Sequence, residues 1–450
     1  MGRKVFISVL GTSLYGKCKY VDDQTGFKSS DAVFVQQATL ECIGATKWPA
    51  DAVALILLTE KARNDNWNKS ITQRTNRATQ KSVEYPGLEK ILIGMNLPFN
   101  IVDVTIPNGK NETEMWQIFQ ILFDRLEDGD ELYFDLTHSF RYLPMLLLVL
   151  GNYAKFLKHV TIKHIYYGNY DARNEETEET PIVDLLPLSS LQDWTFASAN
   201  YLENGNVDQL SALSKMALRP ILANASGTNQ NASNLSKYIK VLQSVVDSMT
   251  TCRGISIMES KEMKSLKETS ENINEVILPP LVPVFEKIND SFRAFEPSRN
   301  ILNGFTAAKW CLDNNMYQQS ITILQESITS LVCLCENLSV EMECDRTMVN
   351  RVFKIKIDSL PEEKWEINDK SRNETEAELT RKKEIIKRLL AKPLIDDLAS
   401  SFKVITDMRN DFNHSGFRQN PVSALKIKSR IKERVDFITN YVRENADKYL

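Results

Sequence analysis

An α/β first half followed by an all-α second half is the fold class this sequence predicts, and three observations predict it. Short apolar strand-like runs alternate with helix-period stretches up to about residue 187. Beyond that point the strand-like runs fade and apolar residues recur at helical spacing. The chain has 450 residues, too many for one ordinary core at a typical ~150 residues per domain. The expected layout is a Rossmann-like domain with a parallel sheet over 1–187, a helical connector over 188–300 and an α-helical domain over 301–450.

In the first part, strands are expected at Lys4–Leu10, Ala52–Thr59, Asn100–Val104, Glu131–Leu136 and Thr161–Tyr167. Each run is dense in branched or aromatic residues, the composition of strands covered on both faces. Between the third and fourth, Met115, Ile118, Phe119, Leu122 and Leu126 fall at i, i+3, i+4, i+7 and i+11 and predict a helix over Glu112–Leu126 with one apolar stripe. The acidic tract Arg173–Thr180 (RNEETEET) reads as an exposed spacer near the end of the domain.

In the second part, a Ser/Asn-rich loop is expected near Asn224–Ser236 and a turn at Pro279–Pro283. Tyr317–Leu338 carries apolar residues at 321, 324, 328, 331 and 335, a buried helical stripe. Pro393 separates two further helices that point Ile385, Leu389, Ile395, Phe402 and Ile405 inward. The last helix, Ala424–Tyr441, lines up Ile427, Ile431, Val435 and Ile438, with Val442 just beyond.

Hydrophobic residues make up 42% and charged residues 25%, a folded composition and not that of a disordered chain. A net charge of −4 excludes a protein coated all over with nucleic-acid-binding charge. Residues 381–450 nevertheless hold 16 Lys and Arg against nine acidic residues, a net of +7. That end is either a surface for a phosphate-rich partner or a solvated helix face. The seven scattered cysteines show no paired metal spacing and read as reduced thiols in a cytoplasmic protein, with no metal site expected. The oiliest run, Met145–Leu150, stops at Gly151 and Asn152, far short of the ~18 apolar residues of a membrane span, so no membrane contact is expected.

Open α/β sheets bind ligands at the carboxyl ends of their strands. Gly11, Thr12 and Ser13 follow the first strand, and Thr137, His138, Ser139 and Arg141 follow the fourth. Glycine permits close backbone approach, the hydroxyls offer hydrogen bonds, and the Arg141 fork suits a phosphate. The six-spaced dinucleotide fingerprint and the Gly-Lys-Ser/Thr phosphate loop are both missing, which removes sequence support for NAD binding and for ATP hydrolysis. A small nucleotide ligand stays open, as does the reading in which Thr137 or Ser139 merely caps a helix.

Near the other end, DMRNDFNHSGF places Arg409 five residues before His414, with Gly416 ending the helix. RNA cleavage by the neighbouring 2′-hydroxyl needs a base, an acid and a cation on the phosphoryl oxygens. An imidazole titrates near neutrality and serves as acid or base, while Arg409 clamps the phosphate and Asn410 orients it. Five helical steps rotate two side chains by ~140° relative to each other. The helix must therefore end near His414, or two chains must build one site. The alternative is a surface helix end whose cation complements the helix dipole.

The two segments together resemble the CRISPR-associated ancillary ribonucleases of type III systems, which join a CARF sensor to a HEPN nuclease. The resemblance lies in Leu10-Gly11-Thr12, the Asp135–Pro144 segment (DLTHSFRYLP), Tyr166-Tyr167-Gly168, and Arg409-Asn410 through His414. It implies a homodimer whose paired CARF domains bind a cyclic oligoadenylate through Gly11, Thr12, Ser13, Thr137, His138, Ser139 and Arg141. A ring of four adenylates is expected ahead of one of six. It further implies a metal-independent endoribonuclease acting on single-stranded RNA, with a composite site of Arg409, His414 and Asn410 and no cofactor beyond the activator. Two rivals share the same residues: a CARF-type nucleotide-responsive DNA-binding regulator, and a HEPN scaffold without catalysis.

Overall fold

A computed structural model describes residues 2–68, 72–75, 82–138, 140–224, 229–271, 279–368, 374–417 and 419–449. The chain divides into two compact units, Met1–Ser190 and Leu191–Leu450, and the boundary falls inside the helix Leu186–Asn204.

In the first unit the strands are β1 (Lys4–Leu10), β2 (Lys19–Asp22), β3 (Phe27–Lys28), β4 (Val53–Leu58), β5 (Thr72–Thr75), β6 (Ser82–Tyr85), β7 (Asn100–Thr105), β8 (Glu131–Asp135), β9 (Thr161–Gly168) and β10 (Glu179–Asp184). Eight form one sheet in the order β3-β2-β10-β9-β8-β1-β4-β7, and β5 and β6 pair separately as an antiparallel hairpin. Five adjacent strands, β9, β8, β1, β4 and β7, run parallel. They are the five that composition predicts, with ends differing by a residue or two.

Alternation along the central strands decides which residue faces which layer. Val5, Ile7 and Val9 of β1 join Leu55 and Leu57 of β4 in a core with Ile118, Leu122, Leu147 and Leu150. Phe6 and Leu10 join Ala54, Ile56 and Leu58 in a second core with Phe34, Trp48, Leu88 and Leu92. A period of two thus sends successive residues to opposite faces, and helices cover both. The predicted helix runs Glu112–Phe123, capped by Asn111 Oδ1, which accepts from the Glu114 N–H at 2.9 Å.

Three features differ from the sequence expectation. The RNEETEET tract is not loop throughout: Glu179 and Thr180 open β10, where Thr180 is fully buried. Strands β2, β3, β5, β6 and β10 were not anticipated, because short strands carrying charges or Pro181 are stabilised by their neighbours and not by their own composition. The Ser/Asn-rich loop near 224–236 is shorter than expected, since the helix Gln230–Thr250 starts directly after Asn229, whose side chain accepts from the Ala232 N–H at 3.0 Å.

The second unit is helical apart from its connections. One continuous core runs through it, from Trp194 and Tyr238 to Phe353, Phe402 and Ile438. Helices Leu302–Asp313 and Tyr317–Cys335 pack tightly because Gly304 has no side chain: a Cβ there would lie 2.2 Å from Ser327 Oγ. Pro393 opens the helix Pro393–Asn413, and the last long helix is Ala424–Glu444. Of the residues predicted to point inward on these helices all are buried except Cys335, which is half-buried. Among the described residues no helix is long and apolar enough to cross a membrane.

Candidate functional site

After β1 the chain forms β2 and β3 at the far edge, crosses to β4 and β7 on the other side of β1, then returns to β8 and β9. The carboxyl ends of β1 and β8 therefore lie side by side where the connections diverge, the switch point at which open sheets hold ligands. A cavity of about 300 Å³ sits there. Gly11, Thr12 and Ser13 line it after β1, Thr59 after β4, Ile106 after β7, and Thr137, His138 and Phe140 after β8. Of the predicted ligand residues, Arg141 is exposed and outside these walls, and Ser139 lies outside the described residues.

The loop after β1 is shaped from beneath. Asn66, fully buried, donates from Nδ2 to the Gly11 carbonyl at 2.9 Å and to the Ser13 carbonyl at 3.0 Å. Its Oδ1 accepts from the Tyr85 hydroxyl at 3.1 Å. Gly11 has no room for a side chain, since a Cβ would lie 2.4 Å from the Tyr15 hydroxyl. The segment after β8 is tied down as well. Buried Asp135 accepts from Ser8 Oγ at 2.6 Å, and from the Thr137 hydroxyl at 2.7 Å and N–H at 3.1 Å. Burial raises the Asp135 carboxyl above its ordinary range, and those hydrogen bonds pull it back down.

Thr137 is thereby given a second task. Its hydroxyl donates to Asp135 and accepts from the Gly168 N–H at 2.8 Å, joining the ends of β8 and β9. It does not cap the following helix, which starts at Leu143 after an N-cap residue, Tyr142, that makes no side-chain capping bond. The His138 ring lies 4.1 Å from the Tyr15 ring. Desolvation lowers its pKa to about 4, so the imidazole is neutral at pH 7. Its Nε2 is buried with no hydrogen-bond partner among the described residues. An unused polar atom on a cavity wall is suited to a ligand.

In the second unit, the helix Pro393–Asn413 ends where the sequence places Arg409 and His414. Ser415 and Gly416 adopt positive φ of 52° and 72°, and the Gly416 N–H returns to the Asp411 carbonyl at 2.9 Å. His414 is consequently the first residue past the helix, and exposed. Asn410 is exposed. Arg409 is half-buried and anchored: its Nη1 donates to Glu326 Oε1 at 2.9 Å and to Gln325 Oε1 at 3.2 Å. Arg346 pairs with the other Glu326 oxygen and donates to Ser330 Oγ and the Val340 carbonyl, each at 2.8 Å.

Sequence reasoning missed Asn66, Glu326 and Arg346. Asn66 sits in the stretch RNDNW with no distinctive spacing, and Glu326 is separated from Arg409 by 83 positions. The seven cysteines are free, and among the described residues no group of three or more acidic, His or Cys side chains is gathered to hold a metal.

Residues 5–171 match the profile described as the CARF domain of the CRISPR system endoribonuclease Csx1. The chain is 26% identical over 236 residues to a CRISPR-associated protein of Methanocaldococcus jannaschii, an alignment that takes in 52% of this chain and 34% of that protein. This chain thus spans about a third of that relative's length. Among solved structures it is similar to Enterococcus italicus Csm6 bound to cyclic hexa-2′-fluoro-hexa-dAMP, at 10% identity and a TM-score of 0.43, covering 98% of this chain and 94% of that one. Residues 5–171 of the first unit are thus a Rossmann-like CARF domain of the Csx1 kind, and the chain is similar to CRISPR-associated proteins.

Proposed function

We propose that this protein is a metal-independent endoribonuclease of type III antiviral defence, switched on by a cyclic oligoadenylate. The ring binds at the cavity between β1 and β8, with Gly11, Thr12, Ser13, Thr137 and His138 on its walls, and Ser139 and Arg141 complete the set of residues that contact it. Four adenylates are favoured over six. Residues 301–450 form the HEPN nuclease and 188–300 the connector that transmits binding. The enzyme acts as a cytoplasmic homodimer on single-stranded RNA.

The observation that carries this reading is the helix end at which Arg409 is anchored half-buried while His414 stands exposed just past it. Arg409 holds the phosphoryl oxygens, and Asn410 orients the phosphate. The RNA 2′-hydroxyl gives up its proton, its oxygen bonds to phosphorus, and the bond to the 5′-oxygen breaks as that oxygen takes a proton. His414 and its symmetry mate serve as base and acid. The products are a 2′,3′-cyclic phosphate and a 5′-hydroxyl. Activation requires the ring to favour the active arrangement by ~1–3 kcal/mol, the usual scale of allosteric coupling.

Dimerisation has support in the first unit. On the helix Leu143–Lys158, Met145, Val149, Tyr153 and Phe156 are 68%, 53%, 47% and 81% exposed. They recur at i, i+4, i+8 and i+11, a continuous apolar face of the kind that marks an association surface.

The test is cleavage of a fluorescent RNA in EDTA with each cyclic adenylate, for the natural protein, Arg409→Ala and His414→Ala. Ring-dependent cleavage that falls at least ~100-fold in either variant is expected. Unchanged variants would place the site elsewhere, and promoter-DNA binding without ring-stimulated cleavage would favour a DNA-binding regulator.

A further inference from the structure

A second cavity, of about 350 Å³, lies within the helical unit. Its floor is aliphatic: Met258, Ile301, Ile323 and Val340 are each 5% exposed or less. Its rim is polar and includes the carboxylates of Glu326 and Glu341. One wall comes from Cys252, Gly254 and Ile255, inside the 188–300 connector, and another from the helix Tyr317–Cys335.

This cavity adjoins the Arg409 site. Glu326 belongs to both, since it lines the cavity and accepts from Arg409 at 2.9 Å. Burial pushes the Cys252 thiol up, and the Arg409 charge is near enough to offset part of that push. A nucleotide whose phosphate meets Arg409 carries its base one sugar away, beside the opening.

We propose that the cavity is the base pocket of the RNA site, holding a base next to the scissile phosphate and selecting guanine over uracil through Glu341. The proposal rests on the ribonuclease reading above. Aliphatic walls pack against the faces of a base, and single-stranded RNA leaves its Watson–Crick edge open to side chains. The Glu341 carboxylate makes no hydrogen bond or ion pair with another described residue, and an ionised carboxylate only accepts. Guanine presents N1–H and N2–H₂ side by side, two donors matched to two carboxylate oxygens. Adenine and cytosine present one amino group. Uracil presents a single N–H between two carbonyl oxygens that a carboxylate repels. The expected order is guanine, then adenine and cytosine, then uracil. The connector thereby gains a second task, as a wall of the substrate site.

Binding of guanosine and uridine 3′-monophosphates to the full chain, followed by ligand-observed NMR titration, tests the pocket without any cleavage. The guanosine nucleotide should bind at least about fivefold tighter, the low end for a matched base contact, and Glu341→Gln should shrink that ratio below about twofold because an amide also donates. Gly254→Phe narrows the cavity at a position where a Cβ meets nothing within 4 Å, and should weaken both nucleotides. Equal affinities, no binding, or a ratio that Glu341→Gln leaves intact would overturn the pocket. Cut-site mapping on mixed-sequence RNA, with the ring present, supplies the functional counterpart: cuts beside uracil should be depleted in the natural protein and restored in Glu341→Gln. Cleavage without base bias would reject the pocket and leave the ribonuclease standing. No cleavage with any ring would reject the ribonuclease, and the nucleotide titration would then judge the pocket by itself.

Discussion

Arg409 donates from Nη1 to Glu326 Oε1 at 2.9 Å, and the same carboxylate pairs with Arg346, so one acidic side chain balances two guanidiniums. Gln325 braces the arrangement, accepting from Arg409 at 3.2 Å and donating to Thr406 at 3.1 Å. Glu326→Gln keeps the size and removes the charge. Its expected effect is a loss of about tenfold to a hundredfold in kcat with little change in KM, the usual cost of a misplaced catalytic group. The pair is 30% and 42% exposed, so screening holds the stability loss below about 1 kcal/mol. Urea denaturation beside single-turnover kinetics separates the two effects, and unaltered cleavage would show that Arg409 needs no such anchor.

His138 makes the first unit sensitive to acid. The unfolded chain protonates this ring near the ordinary 6.5, whereas the folded chain resists until about 4. The neutral ring's contribution is complete above 6.5 and is lost as pH falls from there through 4, amounting to at most about 3 kcal/mol. Denaturation at pH 7.5, 5.5 and 4.5 should show a steeper decline in the natural protein than in His138→Gln. Parallel curves would remove the buried ring as the cause.

Asn66 reaches the ligand cavity only through backbone. Asn66→Ala leaves the Gly11 and Ser13 carbonyls and the Tyr85 hydroxyl without this partner, which should cost about 1–3 kcal/mol. Ring affinity should fall at least about fivefold as the loop loses its preformed shape. Asn66→Asp, of similar size but unable to donate to a carbonyl, should do no better. Calorimetric titration with cyclic tetra- and hexaadenylate measures this, and full affinity in both variants would show that the loop holds its shape without Asn66.

Phe156, 81% exposed, adds nothing to the core of its own chain. Phe156→Glu should leave the protomer folded and weaken the dimer at least about thirtyfold, the scale of a buried interface anchor. Sedimentation velocity across a concentration series decides it. A variant as dimeric as the natural protein would move the interface to another face.

The five parallel strands were legible because each is a short run rich in branched or aromatic residues, and the Glu112–Phe123 stripe because helical period is a local property. The segments after β1 and β8 were legible as a pair because strand ends converge in any open parallel sheet. Arg141 was legible only as chemistry, a fork suited to phosphate, and the fold leaves it exposed outside the cavity. Thr137 reads as a ligand or cap hydroxyl, yet Asp135 and the Gly168 N–H engage it, and nothing local announces the Gly168 partner 31 positions away.

Residue order by itself determined the division into a sheet half and a helical half, the inward faces, and the helix stop that frees His414, since periodicity and a positive-φ glycine act within a few residues. Tertiary structure alone decided that Asn66 shapes the loop after β1, that Ser8 meets Asp135 across 127 positions, and that Glu326 anchors Arg409 across 83. Those partnerships depend on which elements pack together, and hydrogen bonds or ion pairs between distant residues leave no spacing in the chain from which to read them.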